Sequence, residues 1–258
     1  MRTLLAALVL AAAPALAAPP PLQQVHAFDG QVTGVAVSKD GRVFVNFPRW
    51  EKDVPVSVAE VMRDGTLRPY PDAGWNAWSN LKPLSVGDHF VCVQSVTVDP
   101  QGFLWVLDPA APGNEFTKPG GPKLVKIDLG TNRVVKVIAF DDGVAPQGSY
   151  MNDVRVSPDG AHAYLTDSGQ KGALVVVDVA AGTARRVLDG DPRTQPQPGV
   201  VPHADGHELR RPDSMAEGAD GAIYVTGSHI QDMAQFHEHG STQKGPWALF
   251  RIAPPHAR

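Results

Sequence analysis

The chain has 258 residues, 43% of them hydrophobic, with 23 Lys+Arg against 27 Asp+Glu for a formal net charge of -4. The charges are scattered and form no basic stripe of the kind that phosphate neutralisation requires, which argues against a nucleic-acid partner. One cysteine, Cys92, rules out an internal disulfide.

Met1-Arg2 supply a positive start, Leu4 to Ala13 an apolar run, and Ala15-Leu16-Ala17 a small-x-small cleavage site after Pro14. This is the layout of a secretory signal peptide. The apolar run is shorter than the ~20 residues that span a bilayer, so a signal peptide is preferred over an uncleaved anchor. Residues 1–17 are therefore read as the signal, with export to the periplasm or beyond and no membrane association after cleavage. Residues 18–258 are read as one domain, and Ala18 to Pro21 as an extended leader.

The first predicted strand, Leu22–Phe28, precedes a repeated hairpin that occurs four times. Its copies are Thr33–Val45, Gln94–Val106, Asn152–Tyr164 and Asp213–Val225, with turn glycines Gly41, Gly102, Gly160 and Gly221 spaced by 61, 58 and 61 residues. A short apolar strand enters each turn and an aromatic or aliphatic strand leaves it, with glycine where positive φ is needed. Lys123–Asp128 and Arg133–Phe140 follow the second hairpin as two further strands, and Ala173–Asp178 and Thr183–Leu188 follow the third. Each unit is thus four antiparallel strands, and no amphipathic helix of ten residues is evident beyond the signal. Four-stranded sheets at a fixed period predict an all-β fold, a β-propeller with four blade-like repeats. The chain's last strand, Trp247–Ile252, matches the third of a unit, so Leu22–Phe28 is expected to supply the missing fourth and close the ring.

Long segments, among them Pro48–Ser57, Tyr70–Asp88, Asp108–Pro122 and Asp189–Pro212, connect the strands. Binding residues often sit on loops held by a rigid scaffold. Cys92 is read as a small buried hydrophobe in a strand rather than a reactive thiol.

Val43–Arg49, Leu104–Asp108, Lys123–Leu129 and above all Tyr150–Val156, Ala163–Ser168 and Arg185–Leu188 resemble the yellow/major royal jelly protein family. The resemblance covers nearly the whole chain after the signal. Members usually have six blades, so about two are absent here, near Leu209–Pro212. The family likeness implies a small-molecule ligand, such as an aromatic amine, and a dopachrome-conversion-like activity. Arg211–Met215 and Met151–Val154 are similar to metal-ligand segments of the regucalcin/gluconolactonase family. That second likeness implies Asn152 and Asp213 as ligands of a calcium ion and a lactone-hydrolysing alternative. Thr33, however, stands where that family has a Glu, and calcium takes six to eight oxygens.

The aligned hairpins place Thr33, Gln94, Asn152 and Asp213 at one equivalent position, converging at one mouth of the central channel. Such a ring of a hydroxyl, two amides and a carboxylate suits a small polar ligand or a hard cation; mutual hydrogen bonding is the plainer reading. Trp75 and Trp78 lie in a loop and are candidate stacking surfaces for that ligand, while Trp105 belongs to the core. His229, His237, His239, His203 and His207 lack a zinc pattern and are read as loop residues. No Gly-x-Ser-x-Gly elbow or phosphate loop is present. A propeller with no catalytic role, a remnant or a protein-interaction module, is the remaining alternative.

Overall fold

The computed structural model describes residues 22–50, 53–195, 212–234, 240–242 and 245–253. The segments read from the sequence as signal and leader, the apparent junction before Pro212, and His203, His207, His237 and His239 lie outside the described residues.

The repeats fold into four four-stranded antiparallel sheets arranged as a four-bladed β-propeller. Blade 1 is β2 (Val35–Val37), β3 (Val43–Asn46), β4 (Val58–Val61) and β5 (Leu67–Pro69). Blade 2 is β6 (Ser95–Val98), β7 (Phe103–Asp108), β8 (Lys123–Asp128) and β9 (Arg133–Ala139). Blade 3 is β10 (Met151–Val156), β11 (His162–Asp167), β12 (Ala173–Asp178) and β13 (Thr183–Val187). In blade 4, β14 (Pro212–Glu217), β15 (Ile223–Gly227) and β16 (Trp247–Ile252) are completed by β1 (Leu22–Phe28), which pairs antiparallel with β16. Ring closure by the N-terminal strand is therefore as the sequence predicts. Among the described residues the only helices are three single 3-10 turns.

The turns explain the hairpins. Gly41, Gly102, Gly160 and Gly221 all have φ between 71° and 89°, a region that costs a side-chain-bearing residue energy. Beside them, Asp99 Oδ1 accepts from the backbone N–H of Gln101 and Phe103, and its Oδ2 from Trp105 Nε1 at 2.7 Å. One aspartate thus ties the turn to the core tryptophan of the next strand. The turns also reach their neighbours: Lys39 Nζ donates to Pro100 O at 2.7 Å, and Gln101 Nε2 to Pro158 O at 2.6 Å.

Between blades the sheets bury apolar faces. Blade 4 meets blade 1 through Phe28, Val35, Val45, Phe47 and Leu249. Ala36, Phe44, Val96, Leu104 and Val125 join blades 1 and 2, and Trp105, Leu124, Val154, Leu165 and Val175 join blades 2 and 3. Each fully buried side chain of this kind contributes roughly 1.5–3 kcal/mol. The fourth junction differs. The strand faces of blades 3 and 4 share no such cluster among the described residues, and β10 does not pack on β14 as β2 packs on β6. Tyr164 on blade 3 and Met215 on blade 4 remain 50% and 65% exposed.

Candidate functional site

Two aspartates at equivalent places set the loops above the axis. Asp108, the last residue of β7, accepts from the N–H of Val91, Cys92 and Ala110 and from Lys123 Nζ at 2.8 Å. Asp167, the last residue of β11, accepts from the N–H of Tyr150 and Gly169, from Ser149 Oγ and from Arg186 Nη1. Each carboxylate clamps the loop that leads into its blade's innermost strand. Because such buried acceptors are fully paired, the loops are held in one geometry. Tyr150 is thereby aimed across the channel mouth.

Over the mouth lies a cavity of about 890 Å³, within the size range of small-molecule sites. Its polar floor is Gln94, Asn152, Ser168 and Asp213; Trp50, Tyr150, Phe116 and Ile230 supply aromatic and aliphatic walls, and Glu115 stands at its edge. No Lys, Arg or His lines it among the described residues. Beneath it a second hollow of about 290 Å³ contains Thr33, Gln94, Asn152 and Asp213 together. The structure thus brings all four ring residues predicted from the hairpin alignment to one place.

The ring is hydrogen-bonded. Trp50 Nε1 donates to Tyr150 Oη at 2.5 Å, Tyr150 Oη to Gln94 Oε1 at 3.0 Å, Gln94 Nε2 to Asn152 Oδ1 at 3.0 Å, and Asn152 Nδ2 to Ser168 Oγ at 3.0 Å. Thr33 Oγ1 accepts from Asn46 Nδ2 and donates to Gln94 O. Burial pushes the Tyr150 phenol well above its ordinary pKa, and the neighbouring Cys92 adds to this. The phenol is therefore a neutral link in the chain at physiological pH.

The same bonds bear on calcium. The Gln94 and Asn152 side-chain oxygens already face donors, and the Thr33 oxygen takes an amide proton. Asp213 is the one carboxylate of the four, and among the described residues no three His, Cys, Asp or Glu side chains cluster to hold a metal. A six- to eight-oxygen cation does not fit this donor set.

The two loop tryptophans stand elsewhere. Trp78 is 2% exposed, with Arg49 5.4 Å from its ring and Val91 and Ala110 packed beside it. Trp75 packs against Phe90 at 5.0 Å. Neither lines the cavity; the aromatic walls come from Trp50, Tyr150 and Phe116. Cys92 is fully buried as expected, but in the loop before β6 rather than in a strand.

A four-bladed propeller with a ligand-sized cavity over its axis defines the class. Within it, the model for the major royal jelly protein family matches residues 91–229, more than half of the sequence, and the chain belongs to that family. "Protein yellow" of Drosophila pseudoobscura pseudoobscura is 29% identical over 144 residues, 49% of this chain and 24% of that protein. The same protein of Drosophila subobscura gives 29% identity over 23% of its length. The chain thus matches only about a quarter of the length of these relatives. Among solved structures, a luciferin-regenerating enzyme aligns over 86% of this chain and 61% of its own, at 10% identity and a TM-score of 0.39.

Proposed function

We propose that this chain is an exported binding propeller that holds a small aromatic amine in the cavity over the channel mouth. The observation that carries the reading is the make-up of that cavity: Trp50, Tyr150 and Phe116 beside Asp213 and Glu115, with no lining cation among the described residues. Aromatic faces and carboxylates together favour a cation, through the ring quadrupole and charge-assisted hydrogen bonds. Export rests on the apolar run and small-x-small site of residues 1–17. Membership of the family adds dopachrome-like conversion as the activity to assay, followed by loss of the substrate's visible absorbance.

The test is a titration with phenethylamine, read by calorimetry and by intrinsic tryptophan fluorescence. Binding should saturate, and Asp213→Asn should weaken it by about tenfold or more, since a hydrogen bond to a charged group is worth roughly 1.5–3 kcal/mol. No heat and no fluorescence change across a set of aromatic amines contradicts the proposal.

A further inference from the structure

Each blade's innermost strand, β2, β6, β10 or β14, pairs along one edge only, so its other edge faces the axis. Hydrogen-bonded residue pairs alternate along an antiparallel ladder. Asn46 N–H donates to Gly34 O and Ser38 N–H to Arg42 O, which turns Gly34, Ala36 and Ser38 toward β3 and the backbone groups of Val35 and Val37 toward the axis. The bonds from Asp99 N–H to Phe103 O and from Gly218 N–H to Ala222 O do the same for Val96 and Val98 and for Met215 and Glu217. Three inner strands thus present backbone donors and acceptors, outside the ladders, to the channel.

A third hollow, of about 290 Å³, lies among these groups, further along the inner strands toward the hairpin turns. It contains none of the ring residues Thr33, Gln94, Asn152 and Asp213. Two charged side chains line it, Arg155 from blade 3 and Glu217 from blade 4. Arg155 Nη1 donates to Asp153 Oδ1 at 2.8 Å and to Val154 O at 2.7 Å, which leaves Nε and Nη2. That ion pair is exposed and contributes little. Asp153 also accepts from Ser95 Oγ and lines the hollow above, not this one. Glu217 is exposed and has no ion pair or hydrogen bond among the described residues, with Arg155 or any other side chain. One such group alone is a solvated surface charge. Opposite charges from two blades, unpaired with each other and facing one hollow walled by backbone N–H and C=O, match a molecule that carries both signs.

We propose that this hollow is a second binding site, for a small zwitterionic amino acid, with its carboxylate on Arg155 and its ammonium on Glu217. The free Nε and Nη2 of Arg155 form one side of the guanidinium fork, the geometry that takes a carboxylate through two parallel hydrogen bonds. An ammonium has three protons, and backbone carbonyls along the inner edges accept those that Glu217 does not. A molecule with one charge would set an amine against Arg155 or a carboxylate against Glu217, so both charges are needed. The hollow is at the small end of the range for ligand sites, which limits the occupant to a few carbons. Met215, 65% exposed at its wall, gives an aliphatic side chain an apolar contact. The proposal is independent of the binding role assigned to the cavity over the channel mouth.

The experiment is calorimetry on the full chain with L-valine, β-alanine and 4-aminobutanoate, which differ in the spacing of their two charges. Isobutylamine and isovalerate, each with one charge, are the controls. At least one amino acid should bind one-to-one and about tenfold more tightly than either control, since charge-assisted hydrogen bonds are lost with each missing group. Glu217→Gln, which breaks no bond within the protein, should weaken that amino acid about tenfold without weakening isovalerate. Arg155→Gln should weaken it as much without weakening isobutylamine. Saturating phenethylamine should leave the amino-acid isotherm unchanged, because the hollow shares no residue with the cavity over the channel mouth. No heat with any amino acid, affinity no better than the controls, insensitivity to either variant, or displacement by phenethylamine overturns the proposal. Any of these results leaves the reading of the larger cavity to its own titration.

Discussion

Trp50 and Tyr150, one hundred residues apart in sequence, meet above the axis through a 2.5 Å hydrogen bond from the indole Nε1 to the phenol oxygen. The phenol passes its own proton toward Gln94 Oε1 at 3.0 Å. Tyr150→Phe removes an acceptor for one buried group and a donor to another, and leaving buried polar groups unpaired costs about 1–3 kcal/mol. Urea denaturation should show that loss as a lower midpoint with an unchanged slope. The phenol's folded pKa is raised, first by burial, so its contribution is complete below the unfolded value near ~10 and is lost above it. The difference between wild type and Tyr150→Phe should therefore narrow as pH rises past about 10.

Asp108 and Lys123 form an ion pair at 2.8 Å with side chains 0% and 1% exposed. Lys123→Met leaves the carboxylate buried with only its backbone donors. Breaking one side of such a pair costs about 3–5 kcal/mol, whereas replacing both by apolar groups is often nearly neutral. Thermal unfolding of the single variant should fall well below that of wild type. Because Asp108 holds the N–H of Val91 and Cys92, phenethylamine binding should weaken with it.

Glu60 accepts from Arg42 Nε at 2.8 Å and from Arg68, and Arg42 reaches on to Leu129 O of blade 2 at 2.9 Å. Burial works to raise the Glu60 pKa, but the two guanidiniums overcome it and hold it below the usual value. Its stabilisation is therefore present above the unfolded pKa of ~4.3 and lost as pH falls through the lower folded value. Glu60→Gln should cost about 1–3 kcal/mol at neutral pH. The gap between variant and wild type, followed by chemical denaturation, should shrink at pH below about 4.

Burial pushes the Cys92 thiol up to about 12. Since the thiolate is the reactive form, a thiol reagent at pH ~8 should not modify the native chain and should react fully once it is unfolded. Fast labelling of native protein would contradict the burial of this loop.

Much of the fold is legible in the sequence because its signals are local and repeated. Turn glycines at one equivalent position mark four hairpins, and the missing last strand of the chain points to Leu22–Phe28 as its partner. The short third and fourth strands of blade 1, Val58–Val61 and Leu67–Pro69, carry too few residues to stand out by period. The polar ring is legible for the same reason as the turns: Thr33, Gln94, Asn152 and Asp213 occupy aligned positions. Trp50, Glu115 and Phe116 are not, since they sit in loops that no period constrains and that fold back over the axis only in three dimensions. Trp75 and Trp78 show the converse, loop residues drawn inward because a large ring gains most by burial. The clamp aspartates Asp108 and Asp167 have a visible signal, a carboxylate at the end of each second strand in blades 2 and 3, which only comparison of the repeats brings out.

The most direct measurement is a crystal structure of the chain grown with phenethylamine. The expected result is the ligand in the cavity over the channel mouth, its ammonium within hydrogen-bonding distance of the Asp213 carboxylate and its ring against Trp50 or Phe116. Ligand density on another surface, or an Asp213 side chain turned away from a bound amine, would contradict the account.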